Sequence, residues 1–193
     1  MKTAYQILSN IMDNQDIFSV FPHIDLGEIE MRKIVSQDIE NFYKYITDAK
    51  VTQFLAASDI PDSIENAGKE LMYWERLHTI RSSVYWAIGL KENGQIIGTC
   101  GFNFWNRDQR RTEISYDIDS NYWGRGYATS AVKAMVDFAF SKMYVNRIQA
   151  TVAVHNLASI RVLEKSGFNR EGVMANYGVL DGVSKDFYMY GRI

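Results

Sequence analysis

The sequence predicts an α/β or α+β domain built on a mixed sheet. Three observations carry that prediction. Short alternating runs recur along the chain with turn signals between them. One strand–helix–strand crossover interrupts them at the clearest helix. The element order reads strand, helices, three strands, helix, strand, helix, two strands. The length of 193 residues suits one domain with an extension.

The elements follow in order. Residues 3–18 are expected to form a short amphipathic helix through Ile7, Leu8, Ile11 and Met12, so 1–27 is set apart as a helical N-terminal extension. "EIEMRKIV" (28–35) alternates as a first strand, and Ser36 and Asp38 offer caps for "IENFYKYITDA". A second helix is expected from Asp62, where Asp62 and Glu65 have capping-box spacing and Ile64, Ala67, Leu71 and Trp74 form a stripe. "VYWAIGLK" (84–91) and "QIIGTCGFNFW" (95–105) read as strands, with Asn93-Gly94 as a hairpin signal. "RTEISYDID" (111–119) alternates, with Ile114, Tyr116 and Ile118 on one face and Glu113, Ser115, Asp117 and Asp119 on the other.

Two glycines then flank Arg125 in "YWGRGYATSAVKAM", directly before a helix whose apolar stripe runs Val132, Met135, Val136, Ala139, Phe140, Met143. "RIQATVAV" (147–154) is the next strand. Asn156 is placed to cap the helix after it, and Gly167 to end that helix in the left-handed conformation with Phe168 folding back. Two last strands are expected at roughly 170–178 and 184–191, with a turn at Asp181-Gly182.

Composition sets outer limits. Hydrophobic residues make up 47% and charged residues 23%, enough for a real core. A net charge of −2 argues against general nucleic-acid binding. A single cysteine, Cys100, rules out an internal disulfide, and three scattered histidines argue against a metal site. No apolar run approaches a membrane span, and the N-terminus lacks a signal-peptide core, so a cytoplasmic protein is expected.

The glycines have a physical reading. Strand, glycine loop and helix start together present free N–H groups and the positive end of a helix dipole to an anion. A Walker loop would need Lys and Ser/Thr where Tyr127-Ala128 stands, and a dinucleotide fingerprint would need a small residue at Thr129. Both fit poorly, and a plain glycine turn without a ligand remains open on the loop alone.

The stretch "YDIDSNYWGRGYATSAV", with "VAVHNLASIRVLEKSGF" about thirty residues on, resembles the GNAT superfamily of acetyl-CoA-dependent N-acetyltransferases. It is more closely similar to the branch that acetylates the N-termini of ribosomal proteins. The resemblance covers residues 28–193. It implies the acyl-CoA N-acyltransferase fold, with a mostly antiparallel mixed sheet and helices on both faces. The pyrophosphate loop would be Trp123-Gly124-Arg125-Gly126-Tyr127-Ala128, with Trp123 where the superfamily usually has Arg or Gln and this branch commonly has Trp. Backbone N–H groups from Gly124 to Thr129 would bind the pyrophosphate, Ile118 would bond the pantetheine arm through its backbone, and Asn156 would contact the cofactor from the far side.

The implied reaction is direct attack of a primary amine on the thioester in a ternary complex, without a metal. The tyrosine acid of many members falls at Leu163 here, so it is absent, and Ser159, which the ribosomal branch uses, is the candidate acid. Glu113 is the candidate base, the other reading being a solvated carboxylate or an ion pair with Arg110 or Arg111. Arg107, Arg110 and Arg111 form either a solvated tip or an acidic-substrate contact. Asp117 and Asp119 either help hold a cationic acceptor or are solvated. His155 reads as a strand-end residue and Cys100 as core. The acceptor expected is a protein N-terminus, with a polyamine, amino sugar or antibiotic amine as alternatives, and a non-catalytic acyl-CoA sensor as the competing class. No membrane or direct nucleic-acid partner is expected, and the chain fits a monomer or a homodimer.

Overall fold

A computed structural model of the protein describes residues 16–193. Most of the expected N-terminal helix, residues 3–15, lies outside them, and residues 16–19 form a turn. Ile17, Phe18, Phe21, Ile24 and Leu26 pack against the main core, and the Trp86 indole donates to the Pro22 carbonyl at 2.7 Å.

Among the described residues, eight strands form one sheet: β1 (Ile24–Asp25), β2 (Ile29–Arg32), β3 (Tyr85–Leu90), β4 (Ile96–Asn106), β5 (Arg111–Ile118), β6 (Arg147–Ala153), β7 (Asn169–Leu180) and β8 (Val183–Arg192). Their order is β1-β2-β3-β4-β5-β6-β8-β7. Every neighbouring pair is antiparallel except β5 and β6. A parallel pair needs a crossover, and the helix α4 (Tyr127–Ser141) supplies it.

Helices cover both faces. α1 (Ile39–Ile46) and α3 (Ile64–Thr79), with the short α2 (Ala49–Thr52), enclose a core of Phe42, Tyr45, Leu71, Tyr85 and Ile96. On the other face α4 buries Val132, Met135, Val136 and Ala139 against Trp86, Phe102 and Ile148, beside α5 (Leu157–Lys165). The apolar stripe read from the sequence is this buried face, although Phe140 is only partly covered.

Local chemistry sets several element ends. Asn156 caps α5 by accepting from the Ser159 N–H, and Gly167 at φ +81 closes it while the Phe168 N–H returns to the Leu163 carbonyl at 3.1 Å. Asp181 and Gly182, both at positive φ, make the β7–β8 turn.

Three details differ from expectation. Neither Ser36 nor Asp38 caps α1 through its side chain: the Asp38 carboxylate instead accepts from the Arg32 guanidinium and the Val35 N–H, and the Ser36 hydroxyl donates to Gln37. α3 starts one residue later than Asp62 predicts: Ser63 is the cap, and Asp62 accepts from the Asn66 side chain. At Asn93-Gly94 the connection spans residues 91–95, with only Gly94 left-handed. There the Lys91 N–H is drawn to the Glu28 carbonyl next door, and the pairing carries a bulge at Ile88/Gly89.

Candidate active site

β5 and β6 pair only from Arg111–Glu113 to Arg147–Gln149. Beyond that they separate, and a cavity of about 480 Å³ opens between them. The Asp119 N–H bonds the Ile97 carbonyl on β4 at 2.8 Å. A trans peptide points its C=O the opposite way, so the Ile118 carbonyl faces the cleft. The Asp117 carbonyl lies against Gly98 on β4, so the Ile118 N–H faces the cleft as well. The Trp123 indole N–H occupies the Ile118 carbonyl at 2.7 Å, which leaves the N–H as that residue's open group. Trp123 leans on Phe54, and Phe54 on His155, with ring centroids 6.5 and 5.7 Å apart. These three aromatics join the end of β5 to the end of β6.

The glycine loop ends this cleft. Gly124 and Gly126 take φ of +77 and +83, and a Cβ on either would meet nothing within 4 Å. Gly126 is the N-cap of α4 and supplies no side chain to its first turn. The first helical bond runs from the Ser130 N–H to the Gly126 carbonyl. The N–H groups of Tyr127, Ala128 and Thr129 precede that bond and are free to meet an anion. Arg125 is exposed, with its guanidinium 5.1 Å from the Tyr122 ring, and Tyr127 is anchored by donating to Glu28 at 2.8 Å. Open space, bare backbone and a helix N-terminus fit a pyrophosphate.

Ser159 lines the cavity from the first turn of α5, and its hydroxyl lies 2.7 Å from the Tyr116 hydroxyl of β5. Burial raises the Tyr116 pKa, with the hydrogen bond to Ser159 opposing it, so the phenol stays protonated. Sequence reasoning missed this tyrosine. Strand alternation placed Tyr116 on the apolar face with Ile114 and Ile118, and nothing local signals that its hydroxyl reaches α5. Leu163, at the usual tyrosine position, is core. Asn156 also lines the cavity while it caps α5.

Glu113 faces the same cavity and accepts from the Gln149 amide at 2.8 Å. Neither arginine expected as an alternative partner takes it: Arg110 donates to the Tyr144 carbonyl and Arg111 lies over the Phe104 ring. Arg107 donates to the Arg81 carbonyl and stacks on Trp105. Asp117 is not a solvated strand carboxylate. It accepts from the Tyr45 hydroxyl, the Thr99 N–H and the Thr99 hydroxyl at 2.6, 3.0 and 2.6 Å. Burial pushes its pKa up and those donors pull against it. Asp119 caps a one-turn 3-10 helix by accepting from the Asn121 N–H. Cys100 is fully buried, as expected of core.

Burial, and then the charges of Asp117 and Asp59, push Glu70 on α3 up to about 7. The folded chain therefore holds a proton that the unfolded chain releases from pH 4.5 upward. Stability from this group is lost as pH rises from about 4.5 to about 7. Glu70→Gln is expected to melt with the wild type at pH 4.5 and above it at pH 8. A melting difference that does not change with pH would show that Glu70 does not titrate in that window.

A family profile described as "Acetyltransferase (GNAT) domain" matches residues 28–169. The chain is 32% identical to a Bacillus licheniformis protein named "Uncharacterized N-acetyltransferase p20", over 86% of this chain and 92% of that one. The crystal structure of the ribosomal-protein-S5-alanine acetyltransferase from Vibrio fischeri shares the fold, with a TM-score of 0.79 and 23% identity, covering 89% of this chain and 96% of that one. The structure of RimL, a ribosomal L7/L12 α-N-protein acetyltransferase in complex with coenzyme A, overlays with a TM-score of 0.81 and 22% identity, covering 89% and 98%. The cleft with a glycine cradle at one end thus has its family: the chain belongs to the GNAT acetyltransferases and is an acetyl-CoA-dependent N-acetyltransferase.

Proposed function

We propose that the acceptor is the α-amine of a protein N-terminus, that of a ribosomal protein first, and that the amine attacks acetyl-CoA directly in a ternary complex. One observation carries the reading: a single cavity is lined by Gly126, Ser159 and Glu113 together. The ribosomal acceptor is supported by the branch resemblance of the glycine-loop motif and by the two structural neighbours, which are ribosomal-protein acetyltransferases. The same reading makes the protein a cytoplasmic enzyme.

The residues divide the work as follows. Backbone N–H groups from Gly124 to Thr129 hold the pyrophosphate, and the Ile118 N–H bonds a pantetheine carbonyl. Trp123 and Asn156 border the arm. Glu113 takes a proton from the ammonium, directly or through water. The freed amine forms the new C–N bond as the thioester C–S bond breaks. The departing sulfur takes the Ser159 proton and leaves as the thiol, and the surplus proton on the newly acylated nitrogen passes to the serine, directly or through water, so the amide is neutral and Ser159 is restored. The demand on the base is small: at pH 7 an α-amine of pKa ~8 costs about 1.4 kcal/mol to deprotonate, against about 4.6 for a lysine.

Glu113→Gln is therefore expected to slow turnover of a peptide with a free N-terminus most at low pH. The loss shrinks as pH passes the amine's own pKa. A pH–rate profile of both proteins checks this. A uniform loss would make Glu113 a positioning group, and no loss would remove it from the reaction.

A further inference from the structure

The acceptor side of the cleft contains a polar group that the mechanism above leaves unused. β4 carries a bulge between Phe102 and Phe104, opposite Ile114 and Glu113 of β5. The bulged residue is Asn103, which is exposed and lines the cavity with Glu113 and Ser115. Its Oδ1 accepts from the Tyr85 hydroxyl and from the Ser115 hydroxyl, the latter at 3.0 Å. The two hydroxyls are themselves 3.1 Å apart, and Tyr85 is stacked on Trp74 with ring centroids 5.1 Å apart.

In this arrangement the amide turns its oxygen, not its nitrogen, to the two hydroxyls. Each hydroxyl carries one proton, and Oδ1 with two lone pairs receives both. The carboxamide is thus held by its oxygen, and its NH2 makes no hydrogen bond to a described residue. The cleft therefore presents one fixed neutral donor beside one carboxylate. Glu113 and Ser115 are two residues apart on one strand face, roughly 7 Å, and Asn103 meets β5 between them.

We propose that Asn103 donates from Nδ2 to the first carbonyl oxygen of the acceptor while Glu113 holds its amine. The substrate class is then an α-aminoacyl compound, either a peptide N-terminus or an amino acid amide, rather than a plain alkylamine. This rests on the function proposed above. An α-amine and its carbonyl oxygen are three bonds apart, so one small group offers both halves of the grip. An alkylamine offers only the ammonium, and the Asn103 donor then stays unpaired, which is how a site built to hydrogen-bond a group rejects an analogue lacking it.

Asn103→Asp tests it. Aspartate keeps an oxygen for both hydroxyls and replaces the donor with an acceptor. The probes are alaninamide, which has the carbonyl, and isobutylamine, which lacks it, with kcat/KM of each mutant divided by that of the wild type so that amine basicity cancels. The expected result is a fall of about 10-fold for alaninamide relative to isobutylamine, the size of one lost hydrogen bond, with melting close to wild type. Asn103→Ala should lower the same ratio and serves if the aspartate variant fails to fold. Equal changes for both amines in a folded variant would overturn the assignment of Asn103 and leave the proposed acceptor standing. A wild-type enzyme that uses isobutylamine as well as alaninamide, compared at equal free-amine concentration, would overturn the carbonyl contact and the N-terminal acceptor together.

Discussion

Gly126→Val is expected to fold and to bind coenzyme A at least about 100-fold more weakly, a loss of ~2.7 kcal/mol. The backbone there is left-handed at φ +83, which an L-residue adopts at a cost of about 1–2 kcal/mol. Apart from its chain neighbours, no atom lies within 4 Å of the added Cβ, so the Cβ itself meets no obstacle. The melting temperature should fall by about 2–8 °C, from the usual sensitivity of a domain this size. Affinity should suffer more, because in the proposed complex the branched side chain stands where a phosphate oxygen must reach the first-turn N–H groups of α4. Calorimetric titration with coenzyme A checks it. Unchanged affinity in a folded Gly126→Val protein would remove the loop from cofactor binding.

Ser159→Ala is expected to lower kcat about 100-fold, within the range for a group that donates a proton in the transition state, while leaving acetyl-CoA affinity near wild type. The Tyr116 hydroxyl has two acceptors within reach, the Ser159 hydroxyl at 2.7 Å and the Ser159 carbonyl at 3.2 Å. When Tyr116 donates to the hydroxyl, the serine proton is free to face the cleft. When it donates to the carbonyl, the serine proton turns back to the phenol oxygen. Tyr116→Phe should therefore lower kcat as well, with its ring still packed against the core. The pair acts as one unit, so the double variant should be no slower than the slower single variant. Additive losses would separate the two residues, and normal turnover by Ser159→Ala would take the serine out of the mechanism.

What the sequence revealed was what short stretches determine by themselves. Asn156 three residues before a free N–H, Gly167 at a helix end and Asp181-Gly182 between alternating runs each specify a geometry from within a few residues. The glycine loop was legible for the same reason. Contacts between distant segments were not. Alternation put Asp117 on a polar face, but that face is roofed by α1, and Tyr45, seventy-two residues away, takes its carboxylate. Tyr116 was invisible as a partner of Ser159 because the two are forty-three residues apart. Asn103 owes its exposure to a bulge that shows only once β4 and β5 are paired. The N-cap of α3 was misplaced by one residue because Asp62 and Ser63 are both good caps, and it is the extended Ser63, at φ −152, whose hydroxyl accepts from the Asn66 N–H.

The parting of β5 and β6 also bears on solubility. A gap within a sheet is two additional strand edges, and unsatisfied edges invite a foreign strand to pair. The gap proposed to admit a slender acyl carrier could therefore also nucleate aggregation. Trp123 counters this. Its indole already satisfies the Ile118 carbonyl, the first acceptor an incoming strand would meet, and Phe54 bridges from it to His155 on the opposite side. Tryptophan in place of the arginine or glutamine usual in the superfamily thus also gives this chain a guard against β-augmentation.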